Sequence, residues 1–226
     1  MNTWFKSTNF IWCPGCPANW LAPVLAQSFD KLGIKKENLW LVSGIGCTAR
    51  IANYFACRTV HTTHGRAIAV AEGIKLADPK KDVFVVSGDG DLLSIGLSHL
   101  IHTARRNTAI KVICINNFVY GMTGGQTSPT TAKGKITKTA PAGAPYLPIQ
   151  PSELFASFKN VYFGRTIVYN NDHFFKTLKK AYQHKGFSFV EVISFCRIND
   201  LRFKNAKDIN EEVKKFLEEN KTKISN

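Results

Sequence analysis

The feature that most restricts the fold is a set of short apolar runs, each stopped by a glycine or an asparagine. Val83-Phe84-Val85-Val86 sits inside Asp82–Ser87 and is halted by Gly88, Leu39–Ser43 is halted by Gly44, and Ile110–Ile115 by Asn116. A strand with one wet face alternates apolar and polar residues. A continuous run is buried on both faces, the condition of a strand inside a covered parallel sheet. Between these runs lie stretches with apolar residues at helical spacing, at Ala18–Leu32, Gly65–Leu76 and Leu93–Arg105. Phe158–Val168 and Phe187–Ser194 add two strands around a helix at Asp172–His184. The alternation predicts an α/β fold with a doubly wound, mostly parallel sheet.

The 226 residues fit one domain over positions 1–226. Gly121–Pro151 breaks the rhythm, being rich in Gly, Thr, Pro and Lys with neither period. A loop this long inside a domain is functional or disordered.

The formal charge of +14 raises the question of a polyanionic partner. No nucleic-acid-binding motif accompanies it, and an acidic redox protein or cofactor phosphates account for it equally well. From Lys204 to Lys223 both signs mix, with Ile209, Val213, Phe216 and Leu217 at helical spacing, so a charged amphipathic helical tail is expected. No stretch approaches the ~18 apolar residues of a membrane span. The first residues lack the pattern of a secretory signal, and a cytoplasmic address is expected. There the six cysteines stay reduced, which turns attention from disulfides to metal or cluster ligation.

Gly88-Asp89-Gly90-Asp91 directly follows a strand and precedes a helix. In a parallel sheet ligands bind beyond the carboxyl ends of the strands. Glycines there let the backbone approach a phosphate, while the following helix offers free amides. Asp89 would repel phosphate unless a cation lay between them, and magnesium takes such oxygen donors. The next strand ends at Asn116-Asn117, which places neutral oxygen donors at the same sheet edge. Cys13-Pro14-Gly15-Cys16 has metal-site spacing, Cys47 lies in a glycine-rich turn after a strand, and Cys196 follows the last strand. Those thiols suit zinc or a cubane iron–sulfur cluster, and spacing does not choose between them.

The paired Gly-Asp-Gly and Asn-Asn strand ends resemble the diphosphate motif of thiamine-diphosphate enzymes. Taken with Cys13-Pro-Gly-Cys16, Gly44-Ile-Gly-Cys47, His61-Thr-Thr-His-Gly-Arg66 and Asn116-Asn-Phe-Val-Tyr-Gly-Met-Thr-Gly-Gly-Gln126, in this order, they resemble the beta subunits of 2-oxoacid:ferredoxin oxidoreductases. The likeness is dense from Trp12 to Thr131. It implies a thiamine-diphosphate-binding, pyrophosphate-type fold. Magnesium would be held by Asp89, the Asn117 side chain and the Val119 carbonyl. Ile45, Gly46, Cys47, Thr48, His64, Gly90, Asp91, Gly121 and Met122 would line the cofactor, and Cys13, Cys16, Cys47 and Cys196 would hold a [4Fe–4S] cluster.

The implied activity is coenzyme A-dependent oxidative decarboxylation of a 2-oxoacid, with electrons passing through the cluster to ferredoxin. Gly121–Gln126 favours 2-oxoglutarate, with pyruvate also possible. A separate alpha subunit would supply the activating glutamate, and Glu72, the sole acid in Gly65–Leu76, has no claim to that role. Arg50 is a candidate for a substrate carboxylate or for a surface ion pair. Cys114, within an apolar strand, is expected to be packing, and Cys57 has no motif partner. Two departures stand out: Pro17 replaces the glycine common after the first cysteine pair, and Arg197 replaces the proline common after the last. The competing readings are a non-redox thiamine-diphosphate decarboxylase or transferase subunit, which has no use for four thiols, and a zinc-stabilised basic binding module, which leaves the paired strand ends unexplained.

Overall fold

The computed structural model describes residues 4–200 together with positions 211 and 218. Apart from those two positions, the helical tail expected over Lys204–Lys223 lies outside the described residues. In chain order the helices are α1 (Pro17–Lys31), α2 (Ile51–Tyr54), α3 (Ala67–Ala77), α4 (Leu97–Arg106), α5 (Pro151–Ala156) and α6 (Asn171–Gln183). The strands are β1 (Leu39–Ser43), β2 (Arg58–His61), β3 (Asp82–Gly88), β4 (Lys111–Asn116), β5 (Val119–Tyr120), β6 (Gln126–Thr127), β7 (Tyr162–Ile167) and β8 (Ser188–Ile193). Six of these form one sheet in the order β2-β1-β3-β4-β8-β7, parallel at every pairing. β5 and β6 make a separate antiparallel pair.

The central strands explain their own composition. In β3, Phe84 and Val86 face a core built with Leu21, Leu25 and Phe29 of α1 and Phe174 and Leu178 of α6. Val83 and Val85 face the opposite core, with Ile68 and Ala71 of α3, Leu100 and Ala104 of α4, and Phe155 of α5. Burial of each such side chain contributes about 1.5–3 kcal/mol, so a polar residue on either face would be selected against by packing alone. The doubly wound sheet is borne out.

The edge strands were harder to read. Among the described residues β2 pairs only with β1, and its first and last residues are exposed, so Arg-Thr-Val-His carries no apolar run. The expected strand Phe158–Val168 is shorter as found, because Phe158 instead packs beside α5 in the second core. Gly121–Pro151 holds β6, turns and a bridge between Thr137 and Ala140, and it runs back to the carboxyl edge of the sheet. Cys114 is fully buried, as expected, and burial pushes its thiol well above the ordinary range.

Glu72 is buried between α3 and α4. It accepts hydrogen bonds from Thr103 Oγ1 at 2.9 Å, Thr108 Oγ1 at 2.6 Å and Arg106 Nε at 2.8 Å. The Arg106 guanidinium, aided by the two hydroxyls, holds the Glu72 carboxyl down at about 2. This acid is therefore a cross-brace between helices.

Candidate functional site

The chain leaves β1 outward to β2 and returns on the other side of β1 as β3, so the strand order reverses between them. A crevice opens at such a point beyond the carboxyl ends of the strands. Ile45, Gly46, Cys47 and Thr48 enter it from the loop after β1, and His64 from the loop before α3. Asp89, Gly90 and Asp91 enter after β3, and Asn117, Val119, Gly121 and Met122 after β4. All of the residues expected to hold cofactor or magnesium thus line one cavity. Tyr120, which the motifs did not single out, joins them and lies against Gly90, where a Cβ would come within 2.3 Å of its ring.

Asp91, expected to line the cofactor, lines the crevice, and its carboxylate also holds the surrounding loops. It is buried and accepts from Gly65 N at 2.7 Å, Ile45 N at 3.1 Å and Ser87 Oγ at 2.8 Å. His64 Nδ1 stands 3.0 Å away, within reach but not aligned for a hydrogen bond. One carboxylate therefore pins the β1 loop and the His64 loop against the end of β3. Gly44 completes the lock, because a Cβ there would sit 2.0 Å from Asp91 Oδ2. Gly44→Ala should push that carboxylate off its donors, cost about 1–3 kcal/mol through overpacking and weaken thiamine-diphosphate binding. Melting curves with and without cofactor would check both effects, and a variant indistinguishable from wild type would contradict the lock.

Asp89 differs in kind. It is buried and accepts from Thr130 Oγ1 at 2.6 Å, and the Ser128 hydroxyl and the Asn117 backbone N–H lower its carboxyl in part. These donors are all neutral, and no cationic side chain among the described residues pairs with Asp89. Burial accordingly raises its carboxyl above the usual range. A buried charge without a counter-ion is costly, so this carboxylate suits a divalent cation at the cavity wall. Asn117 Oδ1 accepts from Val119 N at 3.3 Å, and Phe118 between them adopts a left-handed φ of 62°. That tight turn brings the Asn117 side chain and Val119 to the same wall.

A second cavity abuts the first. Cys13, Cys16, Cys47 and Cys196 line it, and it shares Cys47, Asn117, Gly121 and Met122 with the cofactor crevice. Trp12 Nε1 donates to Cys47 O at 2.7 Å and ties the first cysteine loop to the β1 loop. Both sequence departures find a place here. Pro17 takes the first position of α1, where a missing N–H costs nothing. Arg197 crosses to Pro14 O at 2.9 Å and lies over Gly15, joining the first and last cysteine loops. Burial, followed by the neighbouring sulfurs, raises the thiols of Cys16 (to about 11) and Cys47, so ligation must displace protons. Among the described residues no three His, Cys, Asp or Glu side chains gather to hold a single metal ion. The four thiols line one cavity. Arg50 faces this cavity and forms no ion pair with an acid among the described residues.

Sequence reading missed Ser128 and Thr130. They sit in an aperiodic loop, and only the folded chain brings them beneath Asp89. Of the apolar side chains lining the crevice, Ile45 is 37% and Met122 45% accessible, and Ile95, against Gly65, is 51% accessible. Among the described residues no helix is long and apolar enough to cross a membrane.

Comparison with known proteins places this geometry. Residues 41–192 match the thiamine pyrophosphate enzyme, C-terminal TPP binding domain. The chain is 43% identical over 210 residues to the 2-oxoglutarate synthase subunit KorB of Methanocaldococcus jannaschii, covering 93% of this chain and 77% of that protein. It is 40% identical over 200 residues to the 2-oxoacid:ferredoxin oxidoreductase subunit beta of Saccharolobus solfataricus, covering 87% and 66%. A solved 2-oxoglutarate:ferredoxin oxidoreductase from Magnetococcus marinus, with 2-oxoglutarate, coenzyme A and succinyl-CoA bound, superposes with a TM-score of 0.86 at 31% identity. The match covers 95% of this chain and 72% of that one. The chain belongs to the thiamine-diphosphate-binding beta subunits of the 2-oxoacid:ferredoxin oxidoreductases, and is a subunit of an enzyme of that family.

Proposed function

We propose that this chain is the diphosphate-binding half of a coenzyme A-dependent enzyme that oxidatively decarboxylates a 2-oxoacid, with 2-oxoglutarate favoured, and passes electrons to ferredoxin. One observation carries the reading: the crevice lined by Asp89 and Asn117 and the cavity lined by four cysteines share a wall. Asp89, Asn117 and the Val119 carbonyl would hold magnesium, with hard oxygen donors suited to that ion. Cys13, Cys16, Cys47 and Cys196 would hold a [4Fe–4S] cluster, which takes its thiolates around a volume rather than at one centre. When bound, thiamine diphosphate supplies the carbanion chemistry and the cluster accepts single electrons.

The protein's own contribution is positional. Asp91 fixes the loops after β1 and before α3, Gly90 lets the Tyr120 ring close against it, and Gly121 leaves space for the Cys196 sulfur. The exposed Ile45, Met122 and Ile95 suit coverage by an alpha subunit, which would also bring the glutamate that activates the cofactor and would exclude water. Arg50, facing the shared wall without an acidic partner among the described residues, is placed to meet a substrate carboxylate. Cytoplasmic residence as a single domain, without nucleic acid or membrane as partner, completes the proposal.

The test is anaerobic purification of this chain with its partner subunit. The complex is expected to contain about four irons per chain of this type, with a visible absorption band that dithionite bleaches. It should turn over 2-oxoglutarate faster than pyruvate or branched 2-oxoacids, and the isolated chain should turn over little. Iron-free complex that still decarboxylates would favour a non-redox reaction.

A further inference from the structure

We propose that Thr130 is a positioning residue for the magnesium site, and that the ion pair of Glu191 with Arg165 sets it through Asn116. This rests on the assignment of Asp89 and Asn117 to magnesium. The loop from Gly121 to Pro151 lacks any repeating pattern, yet the turn Ser128–Thr131 is buried and grips the site at two points. Thr130 Oγ1 lies 2.6 Å from Asp89 Oδ2 and 2.8 Å from Asn116 Oδ1. Thr131 Oγ1 donates to Phe118 O at 2.7 Å, inside the turn that presents Asn117 and Val119. The same turn therefore holds the carboxylate on β3 and the neutral donors after β4, and fixes the spacing between them.

The orientation of Asn116 is set from behind. Its Nδ2 donates to Glu191 Oε1 at 2.8 Å, and its Oδ1 accepts from Phe118 N at 3.2 Å. Turning the amide over would point oxygen at a carboxylate and N–H at N–H, so Oδ1 must face Thr130. Glu191 is held in turn by Arg165 Nε at 2.7 Å, across the β7–β8 pairing. Thr130 has one proton and two acceptors before it, so Asn116 Oδ1, held in place by Glu191, competes with Asp89 for it. The shorter, charge-assisted bond to Asp89 is the stronger claim, and the position of Asn116, set by the buried ion pair, governs how fully the hydroxyl serves the carboxylate. Groups that orient a metal's ligands commonly govern its affinity.

The experiment uses the complete complex with its partner subunit, freed of divalent cation and cofactor, and titrates it with Mn2+ in the presence of thiamine diphosphate. Bound Mn2+ is followed by electron paramagnetic resonance. Thr130→Val should weaken Mn2+ binding about 10- to 100-fold. Thr130→Ser, which keeps the hydroxyl, should restore it. Glu191→Gln should weaken it in the same direction and carries the test if Thr130→Val does not assemble. Wild-type affinity in Thr130→Val, or equal losses in Val and Ser variants, would overturn the role of the hydroxyl. Wild-type affinity in Glu191→Gln would overturn the link through Asn116. If the wild-type complex binds no Mn2+ in the presence of thiamine diphosphate, the magnesium assignment itself fails, an outcome separate from failure of the variants alone.

Discussion

Asp89→Asn is expected to weaken magnesium-dependent binding of thiamine diphosphate by two to three orders of magnitude while leaving the cofactor-free protein as stable as before. The two effects have one cause. Asp89 is a buried carboxylate bonded by the Thr130 hydroxyl, with no cationic side chain paired to it among the described residues. Opposite a bound cation its charge is an asset, and removing one member of a buried ion pair costs about 3–5 kcal/mol, which is roughly a 100- to 1,000-fold or greater loss of affinity. Without the cation the same charge is a desolvation penalty, reflected in a carboxyl raised by burial. The amide removes that penalty but sets one N–H against a donor, a mismatch of about 1–3 kcal/mol, so the two changes offset. Calorimetric titration with magnesium and cofactor, beside a melting curve of the stripped complex, measures both. Affinity within threefold of wild type would remove Asp89 from the metal site.

The second large effect concerns the frame. Glu72→Ala should destabilise the fold by about 2–4 kcal/mol, because Arg106 and the hydroxyls of Thr103 and Thr108 lose their shared acceptor between α3 and α4. The figure sits below the usual cost of breaking a fully buried pair, since the Arg106 side chain is 48% exposed and screened. The sign of the pH dependence follows from the same contacts. Glu72's carboxyl is lowered from 4.5 to about 2 in the folded protein. The unfolded chain therefore binds that proton first as pH falls. The brace contributes fully above pH 4.5 and is lost as pH falls from there towards 2. Urea unfolding of wild type and Glu72→Gln at pH 7 and pH 3 would show the gap narrowing at the lower pH. A constant gap would mean that Glu72's charge does not enter stability.

The sequence reached some parts of this protein and not others, for reasons that lie in the range of the forces involved. β1, β3, β4 and β8 were legible because a strand covered on both faces must be apolar at successive positions, and that demand is written locally. β2 was not, because an edge strand half open to water makes no such demand. Gly88–Asp91 and Asn116–Asn117 were legible because a strand end, a tight turn and a helix start each need particular residues within a few positions. The cysteines could be named from their motifs. Their arrangement around one cavity depends on loops joined by Trp12 and Arg197, far apart in the chain.

Sequence by itself determined the covered strands of the sheet, their carboxyl edge and the residue types that meet there. Only tertiary structure decided what each of those residues does. It showed the Asp91 carboxylate holding the loops around the crevice, made Glu72 a brace, and carried Thr130 from a patternless segment to Asp89. Burial periodicity repeats along the chain and can be read from any short window. A hydrogen bond between residues 41 positions apart leaves no period behind, and it exists only once the backbone has closed around it.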